Sequence, residues 1–237
     1  MGQDPSQKGD QLRHRAELRD RTGGDVFDPS GQASGCGRRF ELDYEGALTP
    51  KAFAVLGFNP TVDRVRVVTS TGLNVRVNPI TGAPVDGDLA AAAGSVSGIN
   101  PDGTLNGATS AAAGVSYTDV LGGATSTTLY ALDAVSNALY IQTPPNAGTT
   151  THALPVMFIG GPLDFTAPLG FAVARSVHAP AANTPVVDGS ALAVLTVAGS
   201  THLSIIDLRT GAATDLGAIG GGAQPLAGLA IGQTTVR

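Results

Sequence analysis

The sequence predicts an all-β fold, and three observations carry that prediction. The stretch from Gly57 to Gly82, GFNPTVDRVRVVTSTGLNVRVNPITG, alternates apolar and polar residues as half-buried strands require. Its opening returns as GVSY at Gly114, GFAV at Gly170 and GLAI at Gly228, at intervals of 57, 56 and 58 residues, and a fixed period of that size marks a repeat architecture. The composition argues against helix, because 32 Gly and 15 Pro break helices while Val and Thr fill the apolar stretches. Four antiparallel strands per repeat describe a propeller blade, so the expected architecture is a partial β-propeller-like arc of about three four-stranded blades plus a closing strand.

Before the repeats the chain has a different character. Residues 1 to 51 hold 8 of the 14 Lys and Arg and 9 of the 19 Asp and Glu, whereas no Glu follows Glu45 and no Lys follows Lys51. With few apolar residues and no sustained period, residues 1–50 read as a charged, disordered segment outside the repeats. Arg13, Glu17 and Arg21 stand at i, i+4 spacing and support at most a short charged helix over Gln11 to Arg21. The interleaved acids argue against an arm that grips phosphates. Residues 51–237 form the expected repeat domain.

In the first repeat, Val65 and Val67 alternate with Arg64 and Arg66, and Ser70-Thr71-Gly72 supplies the glycine of a tight reversal. Leu73, Val75 and Val77 then alternate with Asn74, Arg76 and Asn78, and Asn78-Pro79-Ile80-Thr81-Gly82 closes the unit as a turn. Second strands are expected at Arg64 to Thr69, Thr128 to Leu132 and Ala191 to Val197, and third strands at Leu73 to Val77, Ala138 to Ile141 and His202 to Leu208. The fourth strand is weaker, clearest at Ala212 to Leu216, and Gly228 to Ile231 is the closing strand. Long linkers, Asp86 to Ala113 and Phe158 to Leu169, separate the repeats. Loops on a rigid β scaffold are where binding residues concentrate.

Several functions are disfavoured. A net charge of -5 offers no footprint for nucleic acid or an anionic membrane. Cys36 is the only cysteine, so neither an intrachain disulfide nor a thiolate zinc site can form. No apolar run has the length of a membrane span, and residues 1 to 30 lack the charged and apolar regions of a secretory signal.

The candidate site residues fall into two sets. Arg64, Arg66 and Arg76 lie on the polar faces of two adjacent expected strands, where guanidinium forks could clamp a carboxylate or phosphate; the plainer reading pairs them with acids such as Asp63 and Asp86, their stems covering the sheet. Asp86, Asp88, Asn100, Asp102 and Asn106 offer the hard oxygen ligands that calcium prefers, although the glycine is misplaced for an EF-hand loop and ordinary Asx turns explain these residues more simply. Calcium is the one cofactor the sequence suggests, and none is required. Catalytic equipment is hard to find: His14, His152, His178 and His202 stand far apart, and Ser200, His202 and Asp207 lack a nucleophile elbow. Paired carboxylates for glycoside chemistry would come from ten aspartates after Lys51, with no spacing that selects two of them. Gly220-Gly221-Gly222 leads into Gln224-Pro225-Leu226 rather than a helix, so it reads as a loop.

The segments GFNPTVDRVRVVTSTGLNVRVNPITGA, GATSTTLYALD, PNAGTTT and LSIIDLRTGAATDLGAIGGG resemble successive signatures of the bacterial family known as domain of unknown function 4394, over roughly residues 53 to 231. The resemblance implies a propeller-like domain, usually exported and therefore extracellular or periplasmic in full-length relatives, with no established activity and no catalytic residues to transfer. Members typically carry two further strand-rich repeats before the GFNP unit, so the chain resembles one lacking its first repeats. A first blade without a predecessor would expose an apolar face and an edge, which invites self-association. The expected function is a non-catalytic module that binds a polysaccharide or a protein, with a truncated, non-functional fragment and an Asp-dependent hydrolase or lyase as alternatives.

Overall fold

Alternation in the first repeat becomes an antiparallel meander. In the computed structural model, which describes residues 54–87, 100–120, 123–159, 161–222, 226 and 228–231, β1 (Ala54–Asn59), β2 (Arg64–Thr69), β3 (Asn74–Val77) and β4 (Pro84–Val85) pair in chain order. Gly72, at φ 88°, makes the reversal between β2 and β3, a backbone region that favours glycine. A second sheet takes β6 (Gly114–Tyr117), β7 (Leu129–Asp133), β8 (Ala138–Gln142) and β9 (Thr149–Pro155) in the same antiparallel sequence. Its outer edge gains β5 (Asn106–Gly107), which runs parallel to β9. A small hairpin, β10 (Met157–Phe158) with β11 (Gly161–Pro162), precedes the third sheet of β12 (Ala167–Val173), β13 (Ser190–Val197), β14 (Ser200–Asp207) and β15 (Ala213–Ala218).

The fold is thus all-β, as expected, with four sheets among the described residues. The strand predicted at Arg64 to Thr69 has those bounds, and the other second and third strands shift by one or two residues. Two pieces were not legible in advance. The β5 bridge joins residues 43 positions apart, beyond any local pattern, and the β10–β11 hairpin is too short for alternation to register. Residues 228–231 form no ladder, although they do lie against β12 as a closing segment would. Asp88 and the segment before residue 54 lie outside the described residues.

Three apolar clusters hold the sheets. The largest joins Tyr130, Leu132, Leu139 and Ile141 of the second sheet to Phe171, Val173, Leu195 and Ile206 of the third. A second, around Val68, Val115, Tyr117 and Leu129, joins the first sheet to the second, and Val67, Val75 and Val77 form a third on the opposite face of the first sheet. That face was expected to meet water. Instead its valines are buried, and the exposed apolar side chains of the first repeat are Leu56, Phe58, Val62 and Ile80.

The 57-residue period has a packing cause. The first strands of the sheets lie side by side, β1 against β6 and β6 against β12, and the opening glycine of each touches the residues that follow the next one. A Cβ on Gly57 would lie 3.5 Å from Val115 and Tyr117; on Gly114 it would lie 3.1 Å from Phe171, and on Gly170 2.5 Å from Leu229. Any side chain at Gly170, and all but the smallest at the other two, would force the sheets apart.

Candidate functional site

Strand register creates the site's central problem. Arg66 on β2 stands directly opposite Arg76 on β3, and like charges facing one another across a ladder repel. Alternation places Asn74 on the same face as Arg76. The expected solvent-exposed face is not what forms here, for Arg66 is buried at 1% exposure, because the next repeat and two loops close over it with polar groups.

Asp102, from the linker between the first two sheets, neutralises the pair. Its carboxylate accepts two parallel bonds from Arg76, Nε to Oδ2 and Nη2 to Oδ1, both 2.8 Å, and a third from Arg66 Nη1 at 3.1 Å. The other Arg66 nitrogens also have acceptors: Nε donates to the Tyr117 hydroxyl at 2.9 Å and Nη2 to Asn146 Oδ1 at 2.5 Å, while Nη1 makes a second bond to Asn74 Oδ1 at 2.5 Å. Asn74 in turn donates to the carbonyls of Gly103 and Pro145. A buried charge requires this degree of pairing. The Asp102 hydrogen bonds hold the Arg76 guanidinium above its ordinary proton affinity against the opposing effect of burial.

Above this network opens a cavity of about 260 Å³ between the first and second sheets. Arg64, Arg66 and Arg76 all line it, with Tyr117, Asn146 and Thr127 among its walls. Arg64 and Arg76 are both partly buried, and Arg64 Nη1 donates to the Asp63 carbonyl at 2.7 Å. No Asp or Glu stands among the described lining residues, since Asp102 sits behind the arginines. The structure therefore brings together the three arginines singled out in sequence, and the carboxylate that Arg66 and Arg76 share is Asp102.

The oxygen-rich set is spread differently. Asp102 has both carboxylate oxygens on guanidinium groups, Asp86 Oδ1 accepts the Asn100 N–H at 3.0 Å, and Asn106 Nδ2 donates to the carbonyls of Thr104 and Ala147. Asp88 falls outside the described residues, among which no group of three or more His, Cys, Asp or Glu is placed to hold a metal ion. Sequence reasoning missed Tyr117 and Asn146, which lie 51 and 80 positions from Arg66. Asn74 was legible, two residues before Arg76 on one strand.

Two histidine–aspartate pairs occur elsewhere. Asp119 Oδ1 meets His178 Nδ1 at 2.8 Å, and Asp119 Oδ2 accepts the Thr118 hydroxyl and the Ala179 N–H. Burial raises the Asp119 carboxyl, but the bonds from Ala179, Thr118 and His178 outweigh it and leave its pKa below the ordinary value. His202 Nδ1 meets Asp215 Oδ2 at 2.9 Å across β14 and β15, so its carboxylate partner is Asp215 and not Asp207, which instead closes the turn at Arg209 and Thr210.

Among known proteins, the family model described as a domain of unknown function (DUF4394) matches residues 27–230, starting well before the repeat expected from residue 51. No curated protein matches the sequence. No helix among the described residues is long and apolar enough to cross a membrane.

Proposed function

The chain belongs to the DUF4394 family of unknown function, and from that premise we propose that it is a non-catalytic binding module of the exported or cell-surface fraction, which holds the anionic group of an acidic polysaccharide in the arginine pocket. The observation that carries this reading is the charge of the lining: three arginines and no Asp or Glu stand among the described lining residues. Arg66 and Arg76 share a single negative charge behind it, so one positive charge is left over, and Arg64 adds another at the rim. Hydroxyl and amide side chains, Thr61, Thr127 and Asn183 among them, stand around the arginines and suit sugar hydroxyls. At about 260 Å³ the cavity is smaller than pockets enclosing a drug-sized ligand, which suits one charged residue of a longer polymer.

Titration calorimetry with oligogalacturonate and with the neutral galactose oligomer tests the reading. The acidic oligomer is expected to bind, more weakly as salt rises, and Arg64→Ala is expected to weaken it about ten- to a hundredfold, the scale of a hydrogen bond to a charged group. Equal affinity for both oligomers, or no effect of the substitution, would refute it.

A hydrolase or lyase reading draws on the Asp119–His178 pair. The His178 side chain is 61% exposed and neither residue lines the arginine pocket, so the pair fits the bracing of the 177–179 turn better than chemistry on a ligand held there.

A further inference from the structure

A loop of the third sheet reaches the arginine pocket between the first two. Residues 174–189, between β12 and β13, are pinned to the second sheet and the chain beside it. The Val177 carbonyl accepts the Asp119 N–H at 3.0 Å, and the Ala179 N–H donates to the Asp119 carboxylate at 2.9 Å. Further along, the Asn183 N–H donates to the Thr127 carbonyl at 3.0 Å, Thr128 Oγ1 to the Thr184 carbonyl at 2.7 Å and the Val186 N–H to the Tyr130 hydroxyl at 2.9 Å. Val177, Ala179 and Val186 are buried. A wall held in this way has little left to order when a ligand arrives, and Ala182 and Asn183 are the residues it gives to the pocket.

Asn183 has φ 60°, a left-handed conformation that asparagine adopts more readily than most residues. Conformation alone is one reason for asparagine there. Its side chain gives another. Asn137, left-handed at φ 52°, uses both amide atoms within the fold, donating to Asp164 Oδ1 and accepting the Phe165 N–H. Of the other asparagines lining the pocket, Asn59 Oδ1 accepts from Thr61 and Asn146 Oδ1 from Arg66. The Asn183 carboxamide makes no hydrogen bond to any described residue.

We propose that Asn183 is the specificity-determining residue of the arginine pocket, its carboxamide pairing with a sugar hydroxyl beside the anionic group that the arginines hold. The inference rests on reading the pocket as a site for an acidic polysaccharide. Guanidinium groups only donate, and alone they would take a bare carboxylate as readily as a uronate residue; a carboxamide donates and accepts, as a hydroxyl does, and so separates the two.

Titration calorimetry of the full chain and of Asn183→Gly tests this, with oligogalacturonate and with oligoglutamate, which carries carboxylates and no hydroxyls. Glycine populates the left-handed backbone readily, so the melting temperature is expected to change little. Affinity for oligogalacturonate is expected to fall about tenfold, the scale of one or two neutral hydrogen bonds, with that for oligoglutamate unchanged. Asn183→Asp also tolerates this backbone and is expected to weaken both ligands, because it sets a like charge beside the anion. If the native chain binds oligogalacturonate and Asn183→Gly binds it equally well, asparagine serves the turn alone and the inference falls while the pocket reading stands. An equal loss for both ligands in Asn183→Gly would overturn it as well. Failure of the native chain to bind oligogalacturonate would overturn the pocket reading and this inference together.

Discussion

Arg66 is among the largest fully buried side chains of the molecule, and its burial is tolerable only because each of its three nitrogens has an acceptor. Asp102 supplies the sole negative charge in that shell. Removing it leaves two guanidinium groups facing each other without compensation, and breaking a buried pair costs about 3 to 5 kcal/mol. Asp102→Ala is therefore expected to lose about that much stability, measured as a fall in the urea midpoint at unchanged slope. Asp207 gives a pH-dependent counterpart. Burial pushes its carboxyl up, yet the Thr210 hydroxyl, the N–H groups of Thr210 and Arg209 and the Arg209 charge outweigh that and bring it below its ordinary value. A carboxyl with its folded pKa lowered contributes stability that is present above the unfolded value, about 3.9, and is lost as pH falls through the folded value. Melting curves of the native chain and Asp207→Asn are expected to differ most near neutral pH and to converge below about pH 4; a constant gap across that range would contradict the assignment.

At the scale of elements, the opening glycines decide how closely successive first strands approach. Gly170 is the tightest, because a Cβ there would come within 2.5 Å of the Leu229 Cβ and 2.7 Å of its backbone nitrogen. Backbone cannot rotate out of the way as a side-chain tip can. Gly170→Ala is expected to destabilise by about 1 to 3 kcal/mol, the cost of overpacking, with thermal denaturation as the measurement. Gly57→Ala, where the contacts are an ordinary 3.5 Å, is expected to be far milder. A similar loss at both positions would mean that lost sheet propensity, and not the approach of the next strand, explains the effect.

For the whole molecule, the same glycine contact links the three four-stranded units, β1 lying against β6 and β6 against β12. Each of these units packs its first strand against the next through a glycine, so their spacing along the chain and their approach in space have one cause. Salt tests the functional reading at this scale: anion binding at the arginine pocket weakens as ionic strength rises, while the apolar packing between the sheets does not.

The second and third strands of each repeat, the repeat itself and the presence of three arginines near one another were legible in the linear sequence. Alternation with period two is local, so Val65 to Val77 announced β2 and β3, and the 57-residue spacing announced that the unit recurs. The register of two adjacent strands sufficed to put Arg66 beside Arg76. What tertiary structure alone decided is which charge neutralises them, that Arg66 is interior, and what each glycine is for. Asp102, Tyr117 and Asn146 reach Arg66 across 36, 51 and 80 positions, through loops whose course depends on how whole sheets stack. Pattern along a strand reports which way a side chain points, but not what the rest of the molecule places in front of it.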